Sequence, residues 1–200
     1  MLLGNGLPDS FLRCSILLMR VVIQRVKSAS IMVEGAVVAE ISANILCLVG
    51  LCETDTAEDV RWAVPRILGA KLWDNEDGRT WRKSVTNLNL DVLLVSQFTL
   101  YGTLNKKHQP DFRRAMTPVS AKDLFELLVT TASEAHHKGT GRVESGIFGA
   151  MMDVALVNDG PVTLVVDTPH VPGRTEIQVT DPLSASVSAT EDLKAPAVNC

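Results

Sequence analysis

From residue 20 the chain alternates. Val22, Gln24 and Val26 fall on one side of an extended backbone and Val21, Ile23 and Arg25 on the other, the period of a strand. Residues 30–34 and 36–41 continue in this way around Gly35 and predict a hairpin. Residues 44–51 and 91–99 instead begin as near-continuous apolar runs, the pattern of strands covered on both faces. Between them the period becomes helical. Val60, Val64, Ile67 and Leu68 form one stripe, and Thr54-Asp55-Thr56 opens a helix that runs to about residue 68. Asp59, three residues after Thr56, fits a capping box loosely. Pro65 is expected to bend or interrupt this helix. A second helix is predicted to open at Ser120, with Asp123 three residues on and Leu124, Leu127, Leu128 and Thr131 on its buried face. His136-His137-Lys138 then fall at its C-terminal end, where cations favour the helix dipole. Residues 71–73 and 81–84 read as short extended pieces around a turn at 75–78. Residues 151–157 and 162–167 read as two strands joined by a turn at Asn158-Asp159-Gly160-Pro161.

The order is strands, helix, strands, helix, strands, with no βαβ rhythm and no glycine-rich phosphate loop. It predicts an α+β fold: a mostly antiparallel, strongly curved sheet or barrel, with two main helices. The fold is expected to occupy residues 19–168 as one domain. Residues 1–18 read as an extension: a disordered segment, an upstream start before a natural Met19, or a targeting peptide poor in arginine. Residues 169–200 read as a C-terminal extension, disordered from about 181, with residues 176–179 as a candidate added strand.

Composition narrows the function classes. Hydrophobic residues make up 46% of the 200 but aromatics only 4%, so the core must rest on Val, Leu, Ile and Ala. Apolar runs such as residues 45–49 are far too short to cross a bilayer, so no membrane partner is expected. The net charge of −4 excludes binding nucleic acid by bulk attraction; any RNA contact must come from local basic patches. One candidate is the loop 102–114, where Lys106, Lys107, His108, Arg113 and Arg114 face a single acid, Asp111. Cys14, Cys47, Cys52 and Cys200 form no Cys-x-x-Cys pair, which argues against a disulfide framework or a zinc site and for a reducing, cytoplasmic setting. Adjacent histidines on a helix diverge, so no metal and no cofactor is expected.

The candidate chemistry lies where the apolar run 92–95 ends in Ser96-Gln97-Phe98-Thr99-Leu100-Tyr101. Polar groups at the end of a rigid strand can be aimed at a ligand. They can equally be a strand end whose hydroxyls satisfy local backbone. There is no Gly-x-Ser-x-Gly elbow, and no histidine lies close in sequence to serve as a base, so a Ser-His-Asp hydrolase is a weak reading.

Ser96-Gln97-Phe98-Thr99-Leu100 and Asn158-Asp159-Gly160-Pro161-Val162-Thr163 together resemble the two signature motifs of the D-aminoacyl-tRNA deacylases. The opening stretch from Met19 to Val26 and the sequence Phe148-Gly149-Ala150-Met151-Met152 are similar to further elements of that family, over about residues 19–168. The resemblance implies a curved, barrel-like sheet with the two main helices packed outside, and hydrolysis of the ester of D-aminoacyl-tRNA, and of mischarged glycyl-tRNA, by a homodimer with shared sites. It implies a cis Gly160–Pro161 bond whose carbonyls receive the substrate α-ammonium in the partner's site, which holds Ser96, Gln97, Phe98 and Thr99. It further implies that Arg25 fixes the Gly-Pro loop and that Phe148, Gly149 and Met152 line a pocket for the terminal adenosine. Thr99 is either the nucleophile or a positioning residue; a lone threonine without a base favours positioning, with N–H groups near Phe98 and Thr99 as the oxyanion hole. The chain departs from the family pattern at both ends and after Tyr101. The rivals are a non-enzymatic nucleic-acid-binding dimer and a conventional esterase for small esters.

Overall fold

The computed structural model describes residues 18–136 and 141–169. His137, Lys138, the candidate strand at 176–179 and most of both extensions lie outside the described residues. Eight strands are present: β1 (Arg20–Val33), β2 (Ala36–Ile41), β3 (Asn44–Gly50), β4 (Val92–Ser96), β5 (Thr103–Leu104), β6 (Pro110–Asp111), β7 (Val143–Ser145) and β8 (Asp153–Asp167). Three helices accompany them: α1 (Ala57–Gly69), the single turn α2 (Val85–Leu88) and α3 (Pro118–His136).

β1 is the axis of the sheet. It pairs antiparallel with β8 along its length, with β3 through its first half and with β2 through its second. Its register shifts around Val26, where the strand turns from one part of the sheet into the other. Glu34 and Gly35, both at positive φ, make the two-residue turn into β2. β3, β4 and β7 continue the sheet in parallel. The result is the expected α+β, nearly closed barrel-like sheet, but mixed. Contrary to the reading of no βαβ rhythm, α1 lies in the connection between β3 and β4, and α3 in that between β4 and β7.

Alternation divides the apolar residues between two cores. Val21, Ile23, Ile45, Cys47, Val49, Val92 and Leu94 face the helices and pack with Val60, Val64, Ile67, Phe125 and Leu128. Leu46, Leu93 and Val95 face the barrel interior with Val26, Ile31, Ala39 and Ile41. β3 and β4 are covered on both faces, and this is why their sequences lose the polar half of the alternation.

α1 begins with the full Thr56/Asp59 capping box and buries the stripe read from sequence. Pro65 does not interrupt it. The proline is exposed, so the carbonyl it deprives of a partner, that of Arg61, lies on the wet side of the helix. α3 starts two residues earlier than expected, at Pro118, a position where proline's missing N–H costs nothing. Its buried face is Ala121, Phe125, Leu128, Ala132 and His136; Leu127 points to solvent. The alanines let the helix approach the sheet, a preference that counting large residues misses. His136 is not a solvent-facing cation at the helix end: it is buried, with Nε2 2.7 Å from the Leu90 carbonyl.

Two local expectations need correction. The run at 91–99 leaves the strand at Ser96 and becomes a 3₁₀ turn over Phe98–Tyr101. Residues 151–157 and 162–167 are not a hairpin but the two halves of β8, both paired with β1 in the same direction. A strand as long as β1 offers partners to both halves, and Asp159–Val162 are extruded between them.

Candidate active site

The end of β4 is fixed from three sides. Gln97 donates its backbone N–H to the Val49 carbonyl at 2.8 Å, which keeps it in the line of the sheet. The chain then turns, closed by Leu100 N–H to Gln97 (3.3 Å) and Gly102 N–H to Thr99 (2.9 Å). Gly50, at the end of β3, makes room: a Cβ there would stand 3.0 Å from Leu100 Cβ and 3.0 Å from the Tyr101 ring. Tyr101 is buried and its hydroxyl donates to the Leu18 carbonyl. These contacts put Ser96 and Gln97 half-exposed at the rim, with Phe98 and Thr99 outside it. Gln97 Nε2 donates to Thr99 Oγ1, and Phe98 meets Phe112 edge to face at 5.0 Å. The N–H groups of Phe98 and Thr99 stand at the start of the turn, where intrahelical acceptors are lacking.

Beneath the turn lies a buried acid that the sequence reading passed over as a helix-opening residue. Asp55 accepts from Cys52 N–H at 2.8 Å and from Cys52 Sγ at 3.3 Å. Burial pushes its carboxyl up to about 6 against the Cys52 hydrogen bonds, with Asp59 adding to the rise. Burial also raises Tyr101, helped by Asp55, and lifts the Cys52 thiol to about 11. Neither group is a nucleophile near neutral pH. Among the described residues, neither Ser96 nor Thr99 hydrogen-bonds to a histidine, so no Ser-His pair is assembled here.

The second motif is built differently. Asn158 Nδ2 donates to Thr163 Oγ1 at 2.8 Å and closes the neck of the extruded segment. The Gly160–Pro161 bond at its tip is cis. Gly160 takes φ +117, and a Cβ there would meet Val162 at 2.8 Å, so only glycine fits. Arg25 pins the segment from β1: Nε lies 2.9 Å from Asp159 Oδ2, and Nη1 donates to the Leu72 carbonyl. Arg25 thus touches the segment that the resemblance associates with it. Asp159 and the Leu72 carbonyl, its two partners, were not singled out from sequence.

The two motifs do not meet within the chain. Arg25 pairs with Ile45, and Ile45 with Val92, whereas Ser96 lies level with Val49 and Val21. The extruded segment therefore stands about four residues, roughly 13 Å, along the strands from Ser96, and three strands away across the sheet. Phe148 and Met152 also divide. Phe148 lies 6.0 Å from the Phe125 ring and lines a cleft of about 320 Å³ with Val129, Thr130, Ser145 and Gly146. Met152 packs from the barrel side, where a Cβ on Gly146 would stand 2.7 Å from its Sδ. Gly149 is at φ +76 in the intervening turn. The Gly146 N–H bonds the Leu94 carbonyl at 3.0 Å, so this cleft opens beside the end of β4.

Residues 22–167 match the family model described as D-Tyr-tRNA(Tyr) deacylase. The chain is 45% identical to the D-aminoacyl-tRNA deacylase of Yarrowia lipolytica over 151 residues, 75% of this chain and 97% of that protein. It is 46% identical to the D-aminoacyl-tRNA deacylase of Exiguobacterium sibiricum, over 74% of this chain and 99% of that one. Among solved structures, the c-Myc DNA unwinding element binding protein superimposes with a TM-score of 0.70 at 33% identity, over 76% of this chain and 99% of its own.

Proposed function

We propose, for a chain that belongs to the D-Tyr-tRNA(Tyr) deacylase family, a division of labour between the two motifs of a shared site. The protein is a hydrolase that cleaves the ester of D-aminoacyl-tRNA. Water adds to the ester carbonyl carbon, the tetrahedral oxyanion collapses, and the terminal ribose oxygen leaves with a proton, giving free amino acid and tRNA. The N–H groups of Phe98 and Thr99 are the donors for the oxyanion. Ser96, Gln97 and Thr99 hold the ester against them, and the neighbouring 2′-hydroxyl of the ribose assists the water. Phe148, Gly149 and Met152 flank the terminal adenosine.

The Gly160–Pro161 carbonyls receive the α-ammonium, an N–H donor that needs acceptors at a defined angle. A check made by main-chain shape accepts many D-side chains, excludes L-side chains by clash and admits glycine, so glycyl-tRNA is a further substrate. The single observation that carries this arrangement is the separation of the motifs. The Arg25-pinned segment stands roughly 13 Å along the strands and three strands across from its own Ser96–Thr99, an offset that a second copy of the chain would bridge. The apolar side chains exposed on β8 (Val157, Leu164 and Val165) suit burial in such a homodimer. Among the described residues no helix is long and apolar enough to cross a membrane. The buried thiol of Cys47 fits a reducing cytoplasm.

The test is deacylation of matched D- and L-tyrosyl-tRNA by the purified protein. Clearance of the D-ester alone is expected; equal rates on both, or none on either, overturn the reading.

A further inference from the structure

This acidic chain carries a cluster of cations on the arm that leaves the proposed active-site turn. β5 and β6 form a short hairpin directly after Gly102, with Thr103 opposite Asp111 and Leu104 opposite Pro110. Its tip is constructed rather than loose. Asn105 N–H bonds the Gln109 carbonyl at 2.9 Å and His108 N–H the Asn105 carbonyl at 2.9 Å. The Asn105 side chain accepts from the N–H groups of Lys107 (2.8 Å) and Gln109 (3.1 Å). Lys106, Lys107 and His108 are thereby presented at the tip, exposed to solvent. At the base, Arg113 is held by Asp111 at 2.6 Å with most of its side chain exposed, and Arg114 is exposed beside it. Four cations thus face one acid over thirteen residues of a chain whose net charge is −4.

The root of the arm is tied to the turn itself. Phe112 packs on Phe98, and a Cβ at Gly102 would stand 2.9 Å from the Phe112 ring. The arm therefore has a fixed bearing relative to Thr99. From Thr103 to Lys106 the extended backbone covers roughly 10 Å. That is the scale on which a polynucleotide esterified at its 3′ end must present its next phosphates.

We infer that the hairpin 102–114 is the docking arm for the RNA backbone of the substrate, with Lys106, Lys107 and Arg114 neutralising phosphates next to the esterified 3′ end. This rests on the proposed function, and it adds the element that distinguishes a tRNA ester from a small one. Lysines on a short rigid arm read charge and position but not sequence, so the arm suits an enzyme that must accept many tRNAs.

The test compares two substrates and one triple variant, Lys106→Gln, Lys107→Gln, Arg114→Gln. With D-tyrosyl-tRNA the variant should show KM raised about tenfold, kcat unchanged, and a salt dependence of KM shallower by roughly 0.7–0.9 in log-log slope per lost contact. With 2′(3′)-O-D-tyrosyl-adenosine, which has no phosphate, variant and wild type should agree. An unchanged KM and salt slope on tRNA overturn the docking arm and leave the deacylase reading standing. Equal losses on both substrates also overturn it, because the arm would then be acting on the turn and not on the RNA. A wild-type protein inactive on both esters overturns the two together.

Discussion

The turn at 96–101 and the extruded segment at 158–163 both place polar backbone at a rim, but they are held by opposite means. The turn is fixed from below by a packed core: Gly50 against Leu100, Tyr101 against the backbone of Leu18, and the buried Asp55. The segment stands on an edge strand whose side chains are largely exposed, and it is held by one ion pair, one side-chain hydrogen bond at its neck and one glycine. Damage to the turn should therefore register in stability as well as activity. If the site is shared as proposed, damage to the segment should register chiefly in activity, and through the partner copy.

The largest expected effect tests the sharing of sites. Gly160→Val puts a β-branched side chain at φ +117 and against Val162, and should lower kcat/KM at least about a hundredfold. Its melting temperature should stay within a few degrees of wild type, since Val162 alone of the segment packs against a core, and it is only half-buried there. Co-refolding it with a chain carrying Gly50→Val and Gln97→Ala, also inactive alone, should restore about a quarter of the sites if each combines turn and segment from different chains. No recovery would show that each site lies within one chain.

Gly50→Val alone should cost both properties. The new side chain overlaps Leu100 and Tyr101, an overpacking that typically costs about 1–3 kcal/mol, and the displaced turn should lose activity on the order of tenfold or more. Chemical denaturation with parallel kinetics checks this; full activity would show that the turn is not held by that contact.

Asp55 makes the turn side of the comparison sensitive to pH. Its folded carboxyl titrates near 6, above the ordinary carboxylate value of 3.8, so the fold favours its protonated form. That contribution is fully present below about pH 4 and is lost as pH rises through about 6. Asp55→Asn keeps an acceptor for the Cys52 N–H without the charge. Wild-type stability should fall relative to the variant by about 2 kcal/mol between pH 4 and 7. Parallel curves for the two proteins would show that Asp55 does not titrate in this window.

The smallest effect separates the roles of Thr99. As a positioning group it should tolerate Thr99→Ala with a loss within about tenfold, less than the loss caused by a terminal 2′-deoxyribose in the substrate. Abolished turnover, or a Thr99 ester detected by mass spectrometry, would make it the nucleophile.

Much of this molecule was fixed by local pattern. The alternation of β1, the apolar runs of β3 and β4, the Thr56/Asp59 box and the stripe of α1 follow from backbone periods of two and 3.6 and from unsatisfied helix N–H groups. They needed no knowledge of neighbours, and the structure has them where the sequence put them. The two motifs were also visible as residue types in order.

What the sequence could not decide was every feature set by a partner distant in the chain. Whether Asn158–Thr163 is a hairpin or an extrusion depends on whether β1 is long enough to pair both flanks. Which face of α3 is buried depends on how closely Ala121 and Ala132 let it approach the sheet. Whether Asp55 is an exposed residue before the helix or a buried acid depends on the packing that brings it within electrostatic reach of Tyr101. Above all, the distance between the two motifs depends on the strand register, Ser96 level with Val49 and Arg25 level with Ile45. Register is a property of paired strands, and a single strand's alternation is the same in either of two registers related by a shift of two. The residue order could therefore show both motifs, while only the tertiary structure could set them about four residues apart along the strands and three strands apart across the sheet.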